Sequence, residues 1–221
     1  ADAQAHVVLT QVKVLSRIDA SYSGRYSGHI VNLDTDQAII AAESQENPVN
    51  HLQWTNCAYV VYTSGSTGQP KGVEGLHHGI VNRCEWMWET VPFEEGEVCC
   101  QKTSLSFVDS VWEIFGPLLK GVPLFLIPDH VLQDPLHLVS ILADQRVTRI
   151  VVVPSLLSVL LHTHVDLARQ LPRLNVWISS GEALSTHLCD KFHAKLPGRF
   201  LLNLYGSSEV AADATWHNTS A

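Results

Sequence analysis

Residues 62 to 72 read YTSGSTGQPKG, with Thr63, Ser64, Ser66 and Thr67 set around Gly65 and Gly68, and with Lys71 between Pro70 and Gly72. Glycines free the backbone to turn its N–H groups inward, and such amides together with small hydroxyls suit phosphate oxygens. Lys71 adds a point charge for the outer phosphates. A Walker loop sets its lysine directly before Ser or Thr at the start of a helix. Here Gly72 follows, so this is a phosphate loop of another kind. A second stretch, FVDSVWE at 107 to 113, carries Asp109 where a helix pattern begins. Ser110 with Glu113 fits a capping box, and Asp109 can either cap the helix or point at a ligand.

Both stretches need a scaffold. Short β-branched runs (HVVLTQ, AYVVYTS, PLFLIP, RIVVVPS, NVWISSG, FLLNLYG) read as buried strands. Helix patterns fall at roughly 78–89, 110–119, 135–145, 155–168 and 185–195, several opening on Ser, Asp or Pro. This alternation predicts an α/β fold: a largely parallel sheet with flanking helices and right-handed crossovers. Residues 16–56 are rich in Ser, Asp, Asn and Gln and read as a loop and edge-strand segment.

The 221 residues are 46% apolar and 16% charged, the balance of a globular chain. A net charge of -8 with 14 thinly spread Lys and Arg argues against nucleic acid or an anionic membrane as partner. No apolar run is long enough to span a bilayer and no signal-peptide layout opens the chain, so a cytoplasmic location is expected. Five cysteines, none in a CxxC pair, are expected to be reduced, and the twelve histidines lack metal-ligand spacing.

The run AYVVYTSGSTGQPKG resembles the signature loop of the adenylate-forming superfamily, closest to nonribosomal peptide synthetase adenylation domains. The likeness continues through FVDSVWEIFGPLLKG, VVPSLL, ISSGEAL and NLYGSSE and covers most of residues 58 to 217. It implies that the whole chain is part of the large subdomain, without the small C-terminal domain, and a poor catalyst alone. The implied chemistry uses ATP and Mg²⁺ to turn a carboxylic acid into an acyl adenylate with loss of pyrophosphate. The acyl group then passes to a phosphopantetheine thiol on a carrier protein; the alternatives are another carboxylic acid–CoA ligase or a truncated nucleotide-binding module without turnover. The resemblance implies that Thr63 to Gly68 and Lys71 hold the outer phosphates, that Ser208 touches the α-phosphate and that Glu209 holds the metal. Ser208 stands where the family usually has Thr, and Ser207 where peptide synthetases commonly have Pro. Asn203 and Tyr205 would position adenine, with Gly181, Glu182 and Ala183 lining its other side and Gly206 among the nucleotide-binding residues.

Relatives that activate α-amino acids usually carry Asp directly after the phenylalanine corresponding to Phe107, where it pairs with the substrate ammonium. Here Val108 fills that place and Asp109 follows. The family's pocket pattern then selects Val108, Asp109, Trp112, Val151, Ile178, Ser180, Leu204, Ala212 and Asp213. As a string this resembles the signature for β-alanine, a small amino acid whose amine lies one carbon further from its carboxylate. Asp213 would add a second anion.

Overall fold

The computed structural model describes residues 4–15, 28–64 and 68–219. It divides into two compact units, Ala1–Leu52 and Gln53–Ala221. In the first unit, strands β1 (Val7–Thr10) and β2 (His29–Asn32) pair in parallel, and a short helix α1 (Gln37–Ala42) buries nothing. Asp34 and Asp36 tie this unit together by accepting the backbone N–H groups of Val12 and Asn32. The segment expected to be loop and edge strand therefore contains β2 and α1; its residues 16–27 lie outside the described part.

The second unit is built on six strands in the order β10-β9-β8-β7-β5-β6. These are β5 (Cys99–Gln101), β6 (Leu124–Leu126), β7 (Arg149–Val152), β8 (Val176–Ser179), β9 (Phe200–Tyr205) and β10 (Thr215–Asn218). All pair in parallel except β10, which runs against β9. Between them lie helices α3 (Asp109–Leu118), α4 (Pro135–Asp144), α5 (Pro154–His162), α6 (Leu167–Gln170) and α7 (Thr186–Lys195). The start signals act as read: Asp134 accepts from the N–H groups of Leu136 and His137 ahead of Pro135, and Ser185 accepts from Leu188.

Successive residues of the strands face opposite layers, as a pleat requires. Ile150, Val152, Trp177 and Leu201 pack with Leu138, Leu157, Leu160 and Phe192 on one side. Val151, Ile178, Leu202 and Leu204 pack with Met87 and Trp112 on the other. The second layer is the one that carries the expected substrate-pocket residues.

Three readings are corrected. The strand expected from AYVVYTS does not join the parallel sheet: β3 (Cys57–Thr63) forms a separate antiparallel hairpin with β4 (Lys71–Leu76). A connection of seven residues can close a hairpin but cannot carry a parallel crossover. The helix expected over 155–168 is two, because Asp166 caps a new turn at α6 by accepting from Arg169. The capping box is not made: Glu113 instead accepts the N–H groups of Lys102 and Thr103 and the Thr103 hydroxyl. Ser110 donates back to the Phe107 carbonyl. Burial leaves Glu113 with its carboxyl pushed up, despite the opposing pull of Lys102 and of the bonds from Thr103 and Lys102.

Candidate active site

The carboxyl ends of the parallel strands, the usual place for a ligand in such sheets, gather most of the expected site. After β8 the chain turns at Gly181, whose φ of 85° is left-handed and suits glycine. Glu182 then reaches across to α5, accepting the Ser155 N–H and the Ser155 hydroxyl at 2.9 Å each. This pins the Gly181–Ala183 loop beside the ends of β7 and β8. At the end of β9, Tyr205 is 74% exposed, so a ring face is open to a planar ligand. Asn203 keeps a buried side-chain oxygen, Oδ1, without a partner.

Beyond Tyr205 the backbone folds tightly. A Cβ on Gly206 would overlap the Ala212 carbonyl, so glycine is required there by close approach. Ala211 and Ala212 both hold positive φ, 56° and 87°, a costly state for alanine. The Ser207 carbonyl accepts from Val210 and Ala212, and the Tyr205 carbonyl accepts from Ala214. This strained turn presents two acids differently. Glu209 stands at the surface, its carboxylate held below the usual range by the Ser207 hydroxyl and then by its own backbone N–H. Asp213 is turned inward, with a side chain 4% exposed.

Inside, a residue absent from the sequence-based reading organises the charges. Arg83, on helix α2 (His77–Thr90), donates from Nη2 to Asp109 Oδ1 at 2.8 Å and from Nε to Asp213 Oδ2 at 2.5 Å. Asp109 also accepts from the Ser180 hydroxyl at 3.1 Å. Asp109 therefore makes no cap; it points inward at the start of α3. Burial pushes the Asp213 carboxyl above its ordinary range; Arg83 pulls it down and Asp109 pushes it further up. Two buried atoms of this group have no partner, Arg83 Nη1 and Asp213 Oδ1. An unsatisfied buried polar atom costs about 1–3 kcal/mol, so both are places where a ligand group would gain.

Two spaces meet at Arg83. One is a cleft of about 860 Å³ bounded by β4, α2, Ser208, Glu209, Asp213 and Trp216. The other, between Tyr59, Val108, Trp112 and Ala211, is only about 10 Å³, hardly one water. Trp112 is fixed there by stacking on Phe93, ring centroids 6.3 Å apart. Val108, Val151, Ile178, Leu204 and Ala212 are all buried around this layer, whereas Phe107 is exposed.

In the phosphate loop, Thr63 pairs in register with Lys71 at the loop end of the β3–β4 hairpin. Lys71 thus starts a strand rather than a helix, consistent with a loop unlike Walker's. Ser64 and Lys71 are exposed, and Gly68 has a φ of 80°. Gly65, Ser66 and Thr67 lie outside the described residues.

Fold and site together define an α/β domain with a large cleft beyond the end of β9 and a buried cluster of Arg83, Asp109 and Asp213 behind it. The model of the AMP-binding enzyme family matches residues 1–221, and the chain belongs to that family. It is 38% identical over 220 residues, 98% of its length, to the vanchrobactin synthetase VabF of Vibrio anguillarum. It is 41% identical over 167 residues, 72% of its length, to the beta-alanyl-bioamine nonribosomal peptide synthetase ebony of Drosophila melanogaster. These matches cover 8% of the first relative and 19% of the second, so the chain spans a small part of each. Among solved structures, the nonribosomal peptide synthetase FmoA3 bound to α-methyl-L-serine-AMP aligns over 100% of this chain and 24% of its own. The TM-score is 0.85 and the identity 26%.

Proposed function

We propose that this chain is the nucleotide- and acid-binding part of a ligase that adenylates β-alanine and hands it to a phosphopantetheine thiol of a carrier protein. The single observation that carries the substrate is the buried cluster at α3. There two carboxylates, Asp109 and Asp213, face one guanidinium, and an oxygen of Asp213 lacks a partner. An ammonium group would complete both the charge balance and the missing hydrogen bond. The likeness to ebony, whose name carries β-alanyl, supports the same reading.

In the proposed reaction a carboxylate oxygen of β-alanine attacks the α-phosphorus of ATP, and the bond to the departing pyrophosphate breaks. Thr63, Ser64, Gly65, Ser66, Thr67, Gly68 and Lys71 hold the outer phosphates. Ser208 holds the α-phosphate, while Tyr205, Asn203 and the Gly181–Ala183 loop hold the adenine. Magnesium suits a single exposed carboxylate shared with phosphate oxygens, and Glu209, already biased toward its ionised form, meets that requirement. The metal would neutralise charge on the leaving group. Asp109, Asp213 and Ser180 orient the amine end, so the acid's carboxylate is delivered toward the cleft.

ATP–pyrophosphate exchange on the full-length protein, with a panel of β-alanine, α-alanine, propionate and an aryl acid, tests this reading. β-Alanine should give the highest kcat/KM. Faster exchange with α-alanine or the aryl acid overturns it.

A further inference from the structure

We propose that Arg83 is a specificity-determining positioning residue that sets the charge of the amine recess to one net negative unit by bridging Asp109 and Asp213. The inference rests on the adenylation of β-alanine proposed above, and concerns how that same recess rejects acids without an amine.

Arg83 lies on α2, 26 residues before Asp109 and 130 before Asp213, and its side chain is 6% exposed. Its neighbours in the recess are Tyr59, Ile80, Cys84, Val108, Val111, Trp112 and Ala211, of which Tyr59 and Cys84 are ionisable. Burial pushes both of those groups up, Tyr59 and Cys84 alike, and so toward their neutral forms. The fixed charges in contact are therefore two carboxylates and one guanidinium. Bare, the two acids would repel each other in a poorly solvated space, and one would take up a proton. The guanidinium fork opposes this by donating one N–H to each, and it holds both carboxylates at set positions.

A net charge of one negative unit matches one ammonium and penalises a neutral group in its place, because the recess is then left with unpaired charge. Removing one carboxylate should erase that preference, since Arg83 then neutralises the survivor. Removing Arg83 as well should bring the preference back, because a single free carboxylate remains. A residue that only props up the fold predicts the opposite, with the double variant worse than either single one.

The experiment is pyrophosphate exchange on the full-length protein, comparing β-alanine with propionate for the unsubstituted protein, Asp213→Asn, Arg83→Met, the combination of both, and Arg83→Lys. Thermal melting and ATP affinity are followed alongside. Asp213→Asn should raise the KM for β-alanine at least tenfold with kcat changed less than threefold, and the double variant should recover most of that loss. Arg83→Lys, which keeps the charge but not the fork, should retain the preference for β-alanine with a KM raised a few-fold. A double variant no better than Asp213→Asn overturns the role of Arg83 while leaving the substrate reading intact. If the double variant does not fold, Arg83→Lys decides alone, and loss of its preference for β-alanine overturns the proposal. Preference of the unsubstituted protein for propionate would instead defeat the substrate reading beneath it.

Discussion

Two guanidiniums are buried among the described residues of the larger unit, and they are used differently. Arg149, at the start of β7, spends all three of its nitrogens: Nη1 on the Val91 carbonyl, Nη2 on the Pro92 carbonyl and Glu97, and Nε on Glu97. Its plane also lies 4.2 Å over the Phe93 ring. Arg83 bonds two acids, yet leaves Nη1 and one oxygen of Asp213 unpartnered. Both groups paid the desolvation cost of burial, but only the first has recovered it within the chain. The difference separates an anchor from a receptor: where hydrogen bonding is complete the residue holds the fold, and where it is incomplete the fold has left room for something else.

The largest expected effect breaks the closed network. Arg149→Met takes from the Glu97 carboxylate its guanidinium partner and from two carbonyls their donor, and should cost about 3–5 kcal/mol of stability by urea denaturation. Its effect on substrate preference should be slight. The mirror case is Asp109→Asn, which should lower kcat/KM for β-alanine on the order of 100-fold relative to an amine-free acid, with a smaller loss of stability. If the two variants exchange these phenotypes, the division between anchor and receptor fails. An intermediate effect is expected at Glu113, whose carboxylate accepts three bonds from Lys102 and Thr103. Glu113→Met leaves the Lys102 and Thr103 N–H groups without their acceptor, costing about 1–3 kcal/mol in the same denaturation assay.

The open network should also respond to pH. Asp213, raised by burial and by Asp109, takes up a proton at a higher pH than an ordinary aspartate. The KM for β-alanine should therefore rise on acidification from neutrality, beginning above the usual carboxylate range, and a pH series on the full-length protein checks this. The stability contribution has the opposite sign. An acid whose pKa is higher folded than unfolded binds more protons when folded, so acidification through that window favours the folded state. The smallest effect sits beside the anchor: burial pushes the Cys99 thiol up to about 12, whereas Cys57 is exposed. Iodoacetamide at mildly alkaline pH should modify Cys57 at once and Cys99 only on unfolding.

Much of this arrangement is legible in the residue order. The strands at RIVVV, NVWIS and FLLNLY, the helix starts at Asp134 and Ser185, and the loop from Thr63 to Lys71 carry local signals of period, cap and composition. What escaped was decided at long range. Three-residue strands such as β5 have no period to read, and the antiparallel partner of β3 begins only at Lys71, inside what looks like loop. Ser110 and Glu113 have the spacing of a capping box, but a buried carboxylate found better donors at Lys102 and Thr103. Arg83 lies on a helix with Met87 one turn away on the same buried face, and an arginine among such neighbours is the available hint of a buried pair. Nothing in the order of residues says that its partners lie near positions 109 and 213.

The account's central claim is that the position of one carboxylate at the start of α3 selects where the substrate carries its amine. Exchanging the two residues, as Val108→Asp with Asp109→Val, moves the charge back by one position while keeping composition and volume. Pyrophosphate exchange on the full-length protein should then favour α-alanine over β-alanine, reversing the order of the unsubstituted protein. Unchanged preference for β-alanine in a folded, ATP-binding variant would contradict the claim.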